Sequence, residues 1–415
     1  MARPRGERGS LVDFALPYTQ EQEAFRMEVR TWLEENIPEE MKEPVDQAHF
    51  TKEQYWFWRE KHKEMATKGW LYPTYPKEYG GGGLTGDHET IIDEEFRKAG
   101  AVRGFSSTQV FPTIMVWGTE DQKQKYLRPL LTGEKVTWQK LTEPHSGADI
   151  ADYQSRAIRD GDDWILNGSN VFIGGYEDAE MMVGPLLTDS DAPRHRNLGY
   201  FVIDIPSPGL DVKEMNLLGG ARKRAIFMDN VRVSGDHLIG GEQQGWQVLG
   251  THLEFEHGGG GRAFPRDETL DDLVSFVKET RLNKGMLGND PVIQQKTMDA
   301  VLESHVQGLL AKRTHWMYQK KLEIRYEGNM ANVHSRESGL RNSLRVREIM
   351  GMFCFLDTEE PGAPFGGAQD VRQRGAAGQR HPGGTTNIAK VVLARRIGIS
   401  RTQERPAPTP STASA

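Results

Sequence analysis

The order of secondary-structure patterns along the chain restricts its fold more than any other feature. Residues 136–238 contain short strand patterns separated by turns, and no helical pattern lies between them. The stretch YQSRAIRDGDDWILNGSNVFIGG has an Asp-Gly turn between two such runs, which predicts an antiparallel hairpin. Helical patterns precede and follow this region. The sequence therefore predicts an α+β multidomain protein, with a middle antiparallel β domain between two helical domains.

Changes in pattern divide the chain into five predicted segments. Residues 1–18 form an N-terminal extension, and residues 19–135 form a helical domain that opens with a Thr cap. The middle β domain spans residues 136–241, and a C-terminal helical bundle spans residues 242–401. Residues 402–415 are rich in Pro, Thr, Ser and Ala, so we expect a disordered tail there.

Composition excludes several classes of function. One cysteine, Cys354, among 415 residues excludes intrachain disulfides and cysteine-based zinc or iron–sulfur sites. The net charge of -7 gives no general attraction to nucleic acid or to an anionic membrane. No apolar run reaches the roughly 18 residues of a membrane span, and MARPRGERGS lacks the apolar part of an export signal. We therefore expect a cytoplasmic protein whose partners are small molecules or proteins.

Two glycine-rich stretches imitate nucleotide-binding motifs. GGGLTG matches G-x-G-x-x-G, but two prolines stand where the preceding buried strand is needed, and Asp87 and Glu89 would repel a pyrophosphate. GGGGRA follows a helix and not a strand. The chain also lacks the H-E-x-x-H zinc motif and the G-x-S-x-G nucleophile elbow. No metal site is predicted, and neither is a serine nucleophile.

The stretch HLEFEHGGGG holds two glutamates on a predicted helix. At 100° per residue, Glu256 falls in the sector of the apolar residues Val248 and Leu249, whereas Glu254 points the opposite way. Desolvation of a carboxylate on an apolar face raises its pKa, which suits a general base. The pattern leaves two other interpretations open: a hydrogen-bonded core glutamate, and a helix that frays at Gly258.

Residues 136–173 resemble the acyl-CoA dehydrogenase family, whose pattern there is T-E-P-x-x-G-S-D followed by N-G-x-K-x-W-I-T. The matching residues are VTWQKLTEPHSGADIADYQSRAIRDGDDWILNGSNVFI. Four other stretches resemble further motifs of that family in the same order. They are KGWLYPTYPKEYGGGGL and WGTEDQKQKYLRPLLTGE upstream, and DNVRVSGDHLIGGEQQGW and HPGGTTNIAKVVLARRIG downstream. The resemblance covers about residues 20–401, and it implies the same arrangement of helices, β domain and helices.

The resemblance implies an enzyme that binds FAD without a covalent bond and dehydrogenates an acyl-CoA thioester. A carboxylate removes the α proton while the β hydride passes to flavin N5. Many members carry this base in E-G-T near the C-terminus, where this chain has Gly383. Another branch, which includes isovaleryl-CoA and long-chain enzymes, carries it in L-D-L-E-R on a central helix. LEFEH resembles that motif and places Glu256 at the base position.

The resemblance also implies contacts to cofactor and substrate. The FAD-contacting positions are Leu141, Thr142, Gly147, Phe172, Ile173, Gly174, Arg281, Thr385 and Asn387, and the substrate-binding positions are Ala148, His257 and Gly384. In this family, an arginine at the position of Arg281 reaches the pyrophosphate of the neighbouring subunit, so we expect a homodimer or homotetramer. Simpler interpretations remain: a strand aromatic for Phe172, a solvated charge for Arg281, and helix caps for Thr385 and Asn387.

Three positions depart from the family pattern. The usual Ser of G-S-D is Ala148, the usual flavin-bonding Thr is Gly174, and the Arg after the base is His257. Each change removes a polar contact, which predicts altered flavin tuning or weaker FAD binding. The expected electron acceptor is an electron-transfer flavoprotein. An acyl-CoA oxidase on the same fold, and a non-catalytic subunit that supports an active paralogue, remain as alternatives.

Overall fold

A computed structural model gives the fold of the chain. It describes residues 18–175, 178–220, 222–256, 267–282, 285–320, 322–381 and 384–400. Among the described helices, none combines the length and the apolar composition that crossing a membrane requires.

The N-terminal region is helical. Its helices are α1 (Gln20–Asn36), α2 (Lys52–Thr67), α3 (Gly86–Ala99), α4 (Val110–Trp117), α5 (Glu120–Gln122) and α6 (Arg128–Leu131). Helix α1 begins where the sequence predicted, because Thr19 and Gln22 cap its first turn reciprocally. Tryptophan, phenylalanine and leucine side chains from this region form one core with the inner face of the sheet that follows.

The middle region is an eight-stranded sheet. Its strands are β1 (Thr137–Gln139), β2 (Arg156–Asp160), β3 (Asp163–Ile173), β4 (Met181–Leu187), β5 (Leu198–Asp204), β6 (Leu210–Asn216), β7 (Arg222–Ser234) and β8 (Leu238–Ile239). They are ordered β6-β7-β3-β2-β4-β5-β8, and β1 pairs with β4. The predicted hairpin is confirmed, since β2 and β3 pair around a turn in which Gly161 has φ 65°.

The sheet is mixed, so the antiparallel pairing that the sequence predicted holds for most of its strand pairs but not for all of them. β4 runs parallel to β1 and to the start of β2, whereas the other neighbours are antiparallel. Parallel pairing needs a long connection between the two strands. The β2–β3 hairpin lies between β1 and β4 in the chain and provides that length. A local turn signal cannot reveal a pairing of this kind.

The C-terminal region returns to helices. Its elements are α7 (Gly245–Glu256), α8 (Glu268–Glu279), the short strands β9 (Arg281–Leu282) and β10 (Gly285–Met286), α9 (Pro291–Gln319), α10 (Glu327–Met350), α11 (Ala368–Ala376) and α12 (Thr386–Arg396). Helix α9 packs along α10, and α12 packs on α10. The predicted order of helices, sheet and helices is confirmed.

Arg374 on α11 joins the three regions. Its guanidinium donates to the Asp46 carboxylate of the N-terminal region at 2.6 Å and to the Leu218 carbonyl oxygen of the β6–β7 loop at 3.0 Å. It also bonds Asp370, one turn earlier on α11, at 2.7 Å. Burial opposes ionisation of Asp46, but the Ala48 N–H and the Arg374 charge hold its pKa below the ordinary value.

Candidate functional site

Helix α7 carries the predicted catalytic glutamate at its last residue. Val248 and Leu249 are fully buried and Glu254 is exposed, so the predicted orientation of the helix is confirmed over these residues. Glu256 follows Val248 by eight residues and therefore lies in the same row of the helix surface. The side chain of Glu256 lies outside the described residues, as does all of His257. The role of Glu256 as the base stays a prediction.

His252 fills the same row of α7, one turn before Glu256, and is fully buried. Its Nε2 lies 2.7 Å from Oε1 of Gln139, and its Nδ1 lies 2.8 Å from the Tyr200 hydroxyl. An amide oxygen only accepts, so Nε2 carries the proton and Nδ1 accepts from Tyr200. The face of α7 that carries Glu256 is thus bonded to β1. The spacing of four residues between Val248 and His252 is consistent with this buried position.

The loop after β1 brings two predicted flavin-contacting segments together. The Thr142 carbonyl oxygen accepts from the Val171 N–H at 3.0 Å and from the Asn170 side-chain amide at 3.1 Å. Val171 immediately precedes Phe172, Ile173 and Gly174 at the end of β3. Leu141 and Thr142 therefore lie beside residues 172–174, and the contact of these residues with FAD stays a prediction.

The end of β3 has an unusual backbone. Phe172 has φ 61°, which aromatic residues rarely adopt, and its ring is 52% exposed. Ile173 is buried in the core. Gly174 has φ 72°, and a Cβ built on it would lie 2.8 Å from Cε2 and 3.0 Å from Nε1 of Trp138. Residue 174 consequently has no room for a side chain while the Trp138 indole stays where it is.

A buried lysine supports this loop from behind. Lys140 is fully buried, and its stem crosses Gly184 so closely that a Cβ there would lie 2.6 Å from Lys140 Cγ. Its Nζ donates to the Pro185 carbonyl oxygen at 2.8 Å. Burial lowers the pKa of Lys140 to about 7. The sequence interpretation missed Lys140, because one lysine directly after a short strand gives no sign of facing inward.

The loop that contains Gly147 and Ala148 is exposed. Asp149 next to it forms an ion pair with Arg194, and this contact lowers the pKa of Asp149. Its carbonyl oxygen accepts from the Ser146 hydroxyl at 2.7 Å. Asp149 is thus a turn residue.

The remaining predicted contacts lie on C-terminal elements. Arg281 is exposed on β9, which pairs with β10, and Asn387 is exposed in the first turn of α12. Thr385 caps α12 by accepting the Ile388 N–H at 3.2 Å, and the Gly384 carbonyl oxygen accepts from Arg336. Gly383 lies outside the described residues. The cap geometry explains Thr385 locally, and the cofactor roles of these residues stay predictions.

The groups around residues 142 and 174 suit a planar, anionic cofactor such as FAD. In the part of the chain that the structure describes, the Thr142 hydroxyl has no hydrogen-bond partner, and the half-exposed Phe172 ring offers a stacking face. Lys223 donates to the Gly174 carbonyl oxygen, and Arg224 lies over the Trp138 ring at 5.2 Å. Two cations beside the site favour a negatively charged ligand. No group of metal ligands assembles among the described residues.

The chain is similar to known proteins over most of its length. The family models described as acyl-CoA dehydrogenase, N-terminal domain, and acyl-CoA dehydrogenase, middle domain, match residues 19–134 and 139–231, which together span half of the chain. Acyl-CoA dehydrogenase FadE26 of Mycobacterium tuberculosis is 24% identical over 93% of this chain and 99% of its own length. Mitochondrial isovaleryl-CoA dehydrogenase of Pongo abelii is 28% identical over 68% of each chain. The solved structure of Tcur3481-Tcur3483 steroid ACAD is 24% identical, with a TM-score of 0.81 over 95% of this chain and 100% of that one.

Proposed function

Because the chain belongs to the acyl-CoA dehydrogenase family and is an FAD-dependent oxidoreductase, we propose that Glu256 removes the α proton of its acyl-CoA substrate. Bound FAD would supply the acceptor for the hydride that leaves the β carbon. The observation that carries the proposal is the bond between His252 and Gln139 at 2.7 Å. It holds the Glu256 face of α7 against the strand that leads into Leu141 and Thr142.

The position of Glu256 suits proton abstraction. The two residues that precede it in its row on α7, Val248 and His252, are fully buried. The helical phase predicts that a carboxylate continuing this row is partly desolvated, and desolvation raises the affinity of a carboxylate for a proton. A base with a raised pKa takes a weakly acidic α proton more readily than a solvated glutamate does.

Loops of the β domain would hold the cofactor. The Thr142 hydroxyl is available for a polar edge of the flavin, and the Phe172 ring can pack against its plane. The Thr142 carbonyl oxygen is already bonded to β3, so this loop is fixed before the cofactor arrives. A preorganised loop loses less entropy on binding, which favours FAD retention.

Glu256→Gln tests the proposal. The variant keeps the size of the side chain but removes the proton acceptor, so FAD and acyl-CoA should still bind. Anaerobic flavin reduction, followed by bleaching of the flavin absorbance in a stopped-flow instrument, should slow by roughly 100- to 10,000-fold. Glu254→Gln, on the exposed face of the same turn, is the matched control and should react like the wild type. Wild-type reduction by Glu256→Gln would refute the assignment.

A second variant tests whether the base can act from a different position in the chain. Other family members carry the base at the position of Gly383, which has no side chain here. We expect Glu256→Gln combined with Gly383→Glu to recover part of the reduction rate, because a carboxylate returns from the alternative position. No recovery, with FAD content unchanged, would mean that this pocket does not admit a base from residue 383.

The acyl group and the electron acceptor are finer parts of the proposal. Relatives are named for isovaleryl-CoA and for steroid substrates, so a panel should run from short branched to polycyclic acyl-CoAs. We propose an electron-transfer flavoprotein as the acceptor. Steady peroxide formation in air with the best acyl-CoA would instead assign the chain to the oxidases.

Self-association belongs to the same proposal. Helix α9 exposes an apolar stripe of Met298, Leu302, Val306 and Leu309, while Thr297 and Ala300 on its other side are buried. An apolar face of this kind favours contact with another protein surface. We propose that it packs on a second copy, in a homodimer or homotetramer.

One other function has support from particular residues. Ala148 and Gly174 lack the hydroxyls of the family pattern, as a non-catalytic subunit that assists an active paralogue could. The solved relative Tcur3481-Tcur3483 steroid ACAD is named for two components. A colourless preparation that takes up no added FAD, but gains FAD together with a co-expressed paralogue, would favour this function.

A further inference from the structure

Trp138 lies where a side chain of residue 174 would otherwise stand. It is on β1, three residues before the loop that begins at Leu141, and its indole contacts Gly174 at the end of β3. A Cβ on Gly174 would approach three indole ring atoms within 3.1 Å. Trp138 therefore occupies the junction of the two segments that would face the flavin.

Basic groups fix the indole at this junction. Arg224 is almost fully buried, and its guanidinium lies over the Trp138 ring at 5.2 Å. Lys223 donates to the Gly174 carbonyl oxygen, so the backbone in contact with the ring is held as well. Burial and the adjacent Arg224 charge lower the pKa of Lys223. The ring is thus placed by several contacts and is not a loosely packed surface aromatic.

The indole N–H remains available. Trp138 is 4% exposed, and within the described residues its Nε1 donates no hydrogen bond. Nε1 of Trp164, in the same sheet, also lacks a partner there, but it is fully enclosed. Nε1 of Trp138, in contrast, is not fully enclosed. The small exposed part of Trp138 therefore includes this N–H donor. A donor at the edge of a buried ring can be satisfied by a ligand at little cost.

We propose that Trp138 is a cofactor-binding residue, whose indole N–H donates a hydrogen bond to FAD in place of a side-chain hydroxyl that residue 174 cannot carry. The inference rests on the proposed function only in taking FAD as the cofactor. It explains how this chain retains a polar contact at a position where glycine provides none. It also assigns a reason for Gly174, since any larger residue would displace the indole.

Titration of the apoprotein with FAD, followed by quenching of flavin fluorescence, tests the inference. Trp138→Phe keeps an aromatic ring but removes the N–H, and we expect roughly 3- to 10-fold weaker FAD binding together with a shifted flavin absorption band. Trp164→Phe removes the enclosed N–H of the same sheet and is the matched control, with wild-type affinity expected. Trp138→His, which keeps a ring N–H, should bind more tightly than Trp138→Phe.

Wild-type FAD affinity and an unshifted flavin band in a folded Trp138→Phe protein would overturn the inference. Should that variant unfold, the ¹⁵N–¹H indole spectrum of the wild type, with its nine tryptophans, takes its place. One solvent-exchanging indole signal should become protected when FAD is added, and no change in any such signal would also overturn the inference. Neither measurement uses acyl-CoA, so failure here is distinct from failure of Glu256 as the base.

Discussion

At the scale of single residues, His62 on α2 shows how burial sets a charge state. It is 3% exposed, lies among aromatic rings, and its Nε2 donates to the Val102 carbonyl oxygen at 3.0 Å. Desolvation lowers the pKa of His62 to about 4. In the unfolded chain the pKa returns to about 6.5. Between these two values the unfolded state binds a proton that the folded state excludes, so stability falls as the pH falls.

Acid sensitivity of the fold should therefore decrease when His62 is replaced. Between pH 7.5 and pH 5, this histidine should cost roughly 2 kcal/mol of unfolding free energy, at about 1.4 kcal/mol per pH unit below 6.5. His62→Gln keeps a donor for Val102 but cannot titrate. Urea unfolding midpoints at the two pH values should differ less in this variant than in the wild type. The exposed His381→Gln is the control, and an equal loss in all three proteins would contradict the prediction.

Single residues also show what a sequence can indicate about a site. Helical spacing predicted that Val248 is buried and that Glu254 is exposed, because a phase angle depends on the local chain alone. The bond from His252 to Gln139 joins residues 113 positions apart, and no local pattern reports such a pair. From the sequence we interpreted Gly174 as the loss of a polar contact. In the structure, Trp138 from another strand fills the space that a side chain of residue 174 would occupy.

At the scale of elements, α7 and β1 act as a pair. His252 bonds Gln139 on β1 and Tyr200 on β5, so the last turn of α7 is tied to two strands of the sheet. A second contact, from Trp117 Nε1 of α4 to the Thr251 hydroxyl at 2.9 Å, ties a different side of the helix. His252 and Thr251 form these bonds on different sides of α7. Variants at the two residues can therefore distinguish an effect on the position of Glu256 from an effect on the general packing of α7.

Loss of the His252 bonds should misplace Glu256, the proposed base, without removing the cofactor. His252→Leu leaves buried polar groups on Gln139 and Tyr200, and a shift of the helix end by even about 1 Å costs reaction rate. We expect flavin reduction to slow by roughly 10- to 100-fold at unchanged FAD affinity. Thr251→Val, the control, should lower the melting temperature but keep the reduction rate. Equal rates in both variants would show that His252 has only a structural role.

Element order and element type followed from the sequence more readily than pairing did. The Asp-Gly turn between β2 and β3 is a local signal, and the structure has the hairpin there. The parallel pair of β1 and β4 depends on contacts between residues more than 40 positions apart, such as Thr137 with Met181. Three residues of β1 carry too little pattern to specify a partner, so only the assembled sheet reveals it.

At the scale of the whole molecule, the stripe on α9 predicts an assembly. Leu302 and Leu309 are exposed at its centre, and a charged residue at either position would have to be desolvated in an interface. We expect the double change Leu302→Lys with Leu309→Lys to shift the proposed oligomer toward smaller species in light scattering. Ile158→Lys, at an exposed apolar residue of β2, is the control and should leave the mass unchanged. An unaltered mass in the double variant would exclude this face as the interface.

The contacts of Arg374 with all three regions have a consequence for folding during translation. Asp46 emerges from the ribosome 328 residues before the guanidinium that neutralises it. At about 5–20 residues per second, that interval is roughly 15 seconds to a minute. During this time the nascent N-terminal helices carry an uncompensated carboxylate where the β6–β7 loop must settle. We therefore expect the contact among all three regions to form only after α11 has been translated.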